Sequence, residues 1–153
     1  MSVEIDRVID RFRAQCSRRE YCSADIIKKA LPLLEGDRDL AEKVVRTLVD
    51  ERYVDDARYA AAYVRDKSSI SGWGTAKIRY MLKAKGIHED VLSSALKEID
   101  SDKAERRLEK LIENKLRSLK ADPQCRLKML RYAMGRGYSY DEVSSLLDKM
   151  MNY

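Results

Sequence analysis

The chain has 153 residues, of which 37% are charged and 44% hydrophobic, and carries a formal net charge of +5. That length holds one domain or a row of small units. One Phe, one Trp, six glycines and two prolines exclude an aromatic-rich core and long structureless linkers, and no apolar run reaches the roughly 18–20 residues that span a bilayer.

Leu, Ala, Lys, Arg and Glu dominate and strand-type alternation is absent, so the chain reads as all-α. Residues 2–16 form a first helix with Val3, Ile5, Val8, Ile9 and Phe12 near one face. Ser23 caps a second helix carrying Ile26, Ile27, Ala30 and Leu31, and Pro32 ends or kinks it. After a turn at Gly36-Asp37, a third helix runs from about Leu40 to Glu51 with Leu40, Val44, Val45 and Leu48 inward. Asp55 caps a fourth helix to about Lys67, Asp56 adds charge at its positive end, and Arg58 lies within reach of both. Gly72 and Gly74 break the chain around Trp73. Thr75–Lys85 follows, closed by Gly86 as a left-handed C-cap, and then Glu89–Ile99. The last third repeats the plan with Lys103–Leu119, Gln124–Gly135 and Tyr140–Met151, and Ser139 and Glu142 have capping-box spacing.

A shift of 51 superposes Ile27, Ile78 and Met129, then Val44, Ala95 and Leu146, and then Leu48, Ile99 and Met150. Gly86 falls on Gly137, whereas the first unit has no glycine at the matching place. Three three-helix repeats, 1–52, 53–102 and 103–153, account for the length, and stacking them predicts an elongated, curved body.

Tyr53-Val54-Asp55-Asp56-Ala57-Arg58-Tyr59-Ala60, then Trp73-Gly74 before a basic amphipathic helix, then Lys85-Gly86-Ile87, resembles the RecX family over a span from about Arg18 to the C-terminus. Each piece is common alone; the ordered set at these separations is specific. The resemblance implies three tandem three-helix units and a regulator, acting as an inhibitor, of the RecA recombinase. On this expectation the protein binds along the RecA–DNA filament and modulates ATP hydrolysis and strand exchange in recombination, DNA repair and the SOS response.

The residues themselves offer little catalysis. His88 is the single histidine and stands at a helix start; Asp55 and Asp56 are explained by capping; Gly72-Trp73-Gly74 lacks the lysine and hydroxyl of a phosphate loop. No catalytic residue, metal or cofactor is expected. Cys16, Cys22 and Cys125 are an odd set without CxxC spacing, which together with an N-terminus lacking an export pattern predicts reduced thiols in the cytoplasm.

Binding has more to stand on. Residues 103–153 hold 12 basic against 7 acidic residues, while the two preceding thirds are balanced. At 100° per residue, Ala104, Leu108, Leu111, Ile112, Leu116 and Leu119 share one side of their helix. Lys103, Arg107, Lys110 and Arg117 face the other way, with Arg106 beside them, and Glu105, Glu109 and Glu113 are confined to a flank. Lys128, Arg131 and Arg136 extend the basic side. In the middle unit Arg65, Lys67, Lys77, Arg79, Lys83 and Lys85 form a second patch around Tyr80, with Trp73 as an anchor or an inter-helix plug. Tyr53, Tyr59 and Tyr63 are read as packing. The expected partners are the RecA filament and single- or double-stranded DNA, bound by a monomer. The other reading is a stand-alone helical DNA-binding module, whose affinity would fall steeply with salt.

Overall fold

The computed structural model describes residues 3–151. Among these the chain is all-α, with nine helices in chain order: α1 Val3–Cys16, α2 Ser23–Leu33, α3 Arg38–Asp50, α4 Asp56–Ser69, α5 Thr75–Ala84, α6 Glu89–Leu96, α7 Ser101–Leu119, α8 Cys125–Gly135 and α9 Tyr140–Met151. The expected start at residue 2 and the inward side chain of Val3 lie outside what is described.

Caps place these helices. Asp37 accepts from Leu40 N at 3.2 Å, Asp55 from Arg58 N at 3.0 Å, and Asp100 from Asp102 N and Lys103 N at 3.0 and 3.2 Å. Ser139 Oγ accepts from Glu142 N at 3.2 Å while the Glu142 carboxylate receives Ser139 N, a reciprocal capping box. In α2 the cap is Cys22 and not Ser23: Ser23 is already helical, and the Asp25 carboxylate accepts the Cys22 N–H at 3.4 Å. Pro32 sits in the last turn, and the helix ends one residue later.

Each group of three helices closes on its own apolar cluster. Ile9, Phe12, Ile26, Val44 and Leu48 centre the first, Val64, Ile78, Leu82 and Leu92 the second, and Ile112, Met129, Val143 and Leu147 the third. The second helix of the first group departs from the expected register, since Ile26 is buried and Ile27 only half-buried. Here Ile26 and Ala30 match Ile78 and Leu82. The cause lies in the turn. In the later groups the chain passes a left-handed glycine, Gly86 or Gly137, before plugging the core with Ile87 or Tyr138. In the first group Leu34 plugs the core before the turn, and Glu35 and Gly36 are both left-handed, with φ of 56° and 78°. A glycine therefore serves this turn too, out of step with the 51-residue spacing.

The groups are joined in two different ways. Between the first and second, the Asp56 carboxylate accepts Ser23 N at 2.7 Å, fixing α4 to the start of α2. Lys85 pairs with Asp25 at 2.8 Å, and Arg58 pairs with Glu20 at 2.5 Å while also donating to the carbonyls of Arg52 and Tyr53. The sequence pattern placed Arg58 on Asp55 or Asp56; both carboxylates are taken by backbone N–H groups instead. Cys22 packs into the second cluster, and burial pushes its thiol up to about 11.

Between the second and third groups, backbone meets backbone. Gly74 N donates to Arg136 O at 2.7 Å, Ala76 N donates to Gly137 O at 3.0 Å, and Tyr138 Oη donates to Gly72 O at 3.1 Å. A Cβ on Gly74 would stand 2.7 Å from Tyr138 N, and one on Gly137 would stand 2.8 Å from Gly74 O. Gly137 also has a φ of 100°.

Two outcomes follow from these joints. Gly137→Ala should destabilise the protein by about 2–4 kcal/mol, because strain and clash add. Gly135→Ala, on a helical glycine with nothing within 4 Å, should instead stabilise it by about 0.5–1 kcal/mol; urea unfolding followed by circular dichroism measures both. At the other joint, burial alone would raise Asp25, but hydrogen bonds from Lys85 and Cys22 outweigh it and hold the carboxyl below its ordinary value. Its contribution to stability is then present above the usual carboxylate range near pH 4 and is lost as pH falls through the lower folded-state value. Lys85 is raised by its hydrogen bond to Asp25, so its contribution persists until pH rises past about 10.4. The advantage of the native chain over Lys85→Met, up to about 1 kcal/mol for a pair partly in water, should be level across neutral pH and shrink in acid; thermal melts from about pH 3 to about pH 9 check it.

Candidate interaction surface

A cation already set beside an acid of the fold has less to gain from a partner than one that is not. Four of the basic residues singled out by sequence are so engaged. Glu89 takes Arg79 at 2.5 Å and Lys83 at 3.7 Å, and the Arg79 guanidinium holds its carboxyl below the ordinary value. Lys85 is spent on Asp25, and Lys128 pairs with Asp122. Half of the middle basic patch, Arg79, Lys83 and Lys85, is thus a set of ordinary surface ion pairs.

Lys67 and Lys77 are held differently. Their ammonium groups stand 4.7 and 4.3 Å from the centre of the Trp73 ring. Trp73 is half-buried against the second cluster, edge-on to Tyr63 at 6.4 Å, and Tyr63 stacks on Tyr59 at 6.0 Å. Trp73 therefore plugs the gap between helices and also seats two lysines. Tyr53, Tyr59 and Tyr63 all pack on clusters, whereas Tyr80 is 73% exposed.

The remaining cations gather around α7. Lys103, Arg106, Lys110 and Arg117 are exposed along it, with Arg65 on α4 and Arg131 on α8 also exposed, and none of the six forms an ion pair among the described residues. Arg107 departs from the expected outward position. It sits at the edge of the apolar stripe, is half-buried, and has its Nε covered without a hydrogen-bond partner. It lines two hollows. One, of about 280 Å³, lies beside Arg65, Lys103, Glu98 and Asp100. The other, of about 550 Å³, runs between α7 and α8 under the Ile70–Gly72 turn.

One residue of the larger hollow escapes a reading by helical face. Lys115 falls inside the apolar stripe of α7, where a solvated cation is not expected; its ammonium lies 4.7 Å from the Tyr132 ring centre. Arg136 meets the same ring at 5.3 Å. A lysine interrupting an apolar stripe was the available signal, since its charge requires a compensating environment.

His88 is exposed at the start of α6, and Asp55 and Asp56 are occupied by capping and by Ser23 N. Among the described residues no three His, Cys, Asp or Glu side chains are grouped to hold a metal, and no helix is long and apolar enough to cross a membrane.

The arrangement is that of a helical-repeat protein in which, of the basic residues singled out by sequence, those without an ion pair among the described residues lie mostly on the third unit. Family models for the second and third three-helix domains of RecX match residues 55–96 and 103–147, together more than half of the chain. The chain belongs to the RecX family, a family of regulatory proteins rather than enzymes. A Clostridium tetani protein called regulatory protein RecX is 29% identical over 75% of this chain and 54% of its own length. A Clostridium botulinum relative of the same name is 30% identical over 83% and 61%, and one from Mycobacterium sp. (strain KMS) is 35% identical over 67% and 60%. The chain thus spans between 54% and 61% of the length of these relatives. The crystal structure of RecX from Lactobacillus salivarius superposes with a TM-score of 0.85 over 98% of both chains at 20% identity. A second RecX crystal structure does so at 0.84 over 95% of this chain and 72% of its own, at 24% identity. At such identities these two likenesses speak to the fold.

Proposed function

We propose that this chain is a regulator, acting as an inhibitor, of the bacterial RecA recombinase. It binds along the RecA–DNA filament as a monomer and modulates ATP hydrolysis and strand exchange in recombination, repair and the SOS response. Membership of a family of regulatory proteins supports the class of activity. The observation that carries the mode of binding is the row of exposed cations on α7, Lys103, Arg106, Lys110 and Arg117, none of which forms an ion pair within 4.0 Å among the described residues. Serial repeats let several weak contacts act together, because each engaged unit holds the next at high effective concentration. Engaged across neighbouring subunits, such a chain would oppose the movements that accompany ATP turnover. The free thiols Cys16, Cys22 and Cys125 agree with a reducing cytoplasm.

Titration into a RecA-dependent, single-strand-stimulated ATPase and a strand-exchange assay tests the reading. The wild-type chain should inhibit both. Lys103→Glu, Arg106→Glu and Arg117→Glu together should keep the helical circular-dichroism signal and raise the half-inhibitory concentration at least about tenfold, a loss of roughly 1.4 kcal/mol. No inhibition by the wild-type chain, or equal affinity for bare DNA and for the filament at near-physiological salt, would overturn the reading; the latter would favour the stand-alone DNA-binding module.

A further inference from the structure

Elsewhere among the described residues, a half-buried cation meets an acid or the Trp73 ring. Arg13 meets Glu51 and Asp10, Arg79 meets Glu89, Lys85 meets Asp25, Arg126 meets Asp148, and Lys67 and Lys77 sit over Trp73. The hollow between α7 and α8 differs in gathering four cations with no acid among them. Arg107, Lys110, Lys115 and Arg136 converge on it, no Asp or Glu lines it, and none of the four forms an ion pair among the described residues. Four like charges around about 550 Å³ repel one another, and partial shielding from water strengthens that repulsion. A partner that brings negative charge relieves it.

We infer that this cleft is a docking site for an acidic peptide segment that carries an apolar residue among its carboxylates.

Charge alone would admit nucleic acid equally well; the aromatic and apolar groups separate the two. Binding of single strands rests on bases stacking against open aromatic faces. The ring in this cleft, Tyr132, already has Lys115 and Arg136 set against it. What the cleft does offer is aliphatic surface: Leu111 in its wall and Ile70, 82% exposed, on its rim. An exposed isoleucine beside four unpaired cations suits a side chain inserted between carboxylates and offers little to a sugar–phosphate chain. Asn114 and Ser118 add neutral hydrogen-bonding groups along the wall. The volume lies within the ordinary range for a pocket that encloses a small ligand. Position on the rim also ties the site to the fold, because Gly72, two residues after Ile70, carries the carbonyl that accepts the Tyr138 hydroxyl.

The site stands on the cleft alone and does not require the recombinase reading. Its test uses the full chain, isotope-labelled for NMR, and three fluorescein-labelled probes: a twelve-residue peptide of repeated Glu-Asp-Leu, the same peptide with every Leu replaced by Ser, and a dT12 oligonucleotide. At about 150 mM salt, where exposed charges more than about 8 Å apart are screened, the Leu-containing peptide should bind most tightly. It should shift the Arg107 Nε–H resonance together with backbone amides of Lys115 and Arg136. Ile70→Asp and Lys110→Glu, both on exposed side chains, should keep the native spectrum and each weaken that peptide at least about tenfold, or 1.4 kcal/mol. Tighter binding of dT12, equal binding of the Leu and Ser peptides, shifts confined to residues outside the cleft, or no binding up to millimolar peptide would each overturn the inference. None of the three α7 cations reversed in the ATPase test, Lys103, Arg106 and Arg117, lines the cleft, so loss of one result leaves the other intact.

Discussion

Two glycines without side chains, Gly74 and Gly137, allow two backbones to come within hydrogen-bonding distance of each other. Much else in the second half of the molecule rests on this approach. It sets the start of α5 against the end of α8, brings Gly72 under the Tyr138 hydroxyl, and thereby holds Ile70 over α7. Any side chain at either glycine would have to displace backbone, which has no cheap way to yield. The cleft and its unpaired cations therefore inherit their position from a contact that contains no charged group.

The other joint obeys different physics. Asp56, Asp25 and Glu20 meet Ser23 N, Lys85 and Arg58, with apolar burial added by Cys22 in the second cluster and Val54 in the first. These are side-chain contacts partly open to water, weakened by salt and by acid. The backbone joint has no such sensitivity, apart from the Tyr138 hydroxyl, whose ionisation burial pushes upward and away from neutral pH. Neighbouring units of one chain thus differ in the kind of contact that ties them, although each has a core of similar make-up.

The fold was legible because its signals are local. Asp37, Asp55, Ser139 with Glu142, Gly86 and Gly137 mark helix ends through groups a few residues away, and apolar spacing marks the inward faces. What escaped depends on distant parts of the chain. Asp56 reads as a helix-start charge and in fact holds α2; Arg58 reads as a partner of Asp55 and reaches Glu20. Gly74 reads as a turn former, yet its φ is ordinary and its requirement is proximity to Gly137. No pattern along one segment reveals a neighbour 60 residues away. The one-residue offset of α2 was missed for a related reason: a 51-residue spacing assumes that equivalent turns are built alike, and the turn at Glu35-Gly36 is not.

The same distinction explains why the candidate surface was read only in part. A helical wheel sorts residues by direction and is blind to pairing. It gave Arg79, Lys83, Lys85 and Lys128 the same standing as Lys103 and Arg106, though the first four already have acids beside them. It also set Lys115 aside, because that residue points toward the apolar side. Direction makes a cation accessible, but the lack of an internal counter-charge is what makes it useful to a partner, since attraction already satisfied within the fold adds little on binding. On that criterion the weight of the surface moves from the middle unit to α7, whose outer cations form no close ion pair among the described residues, and to the cleft beside it, which no acid lines.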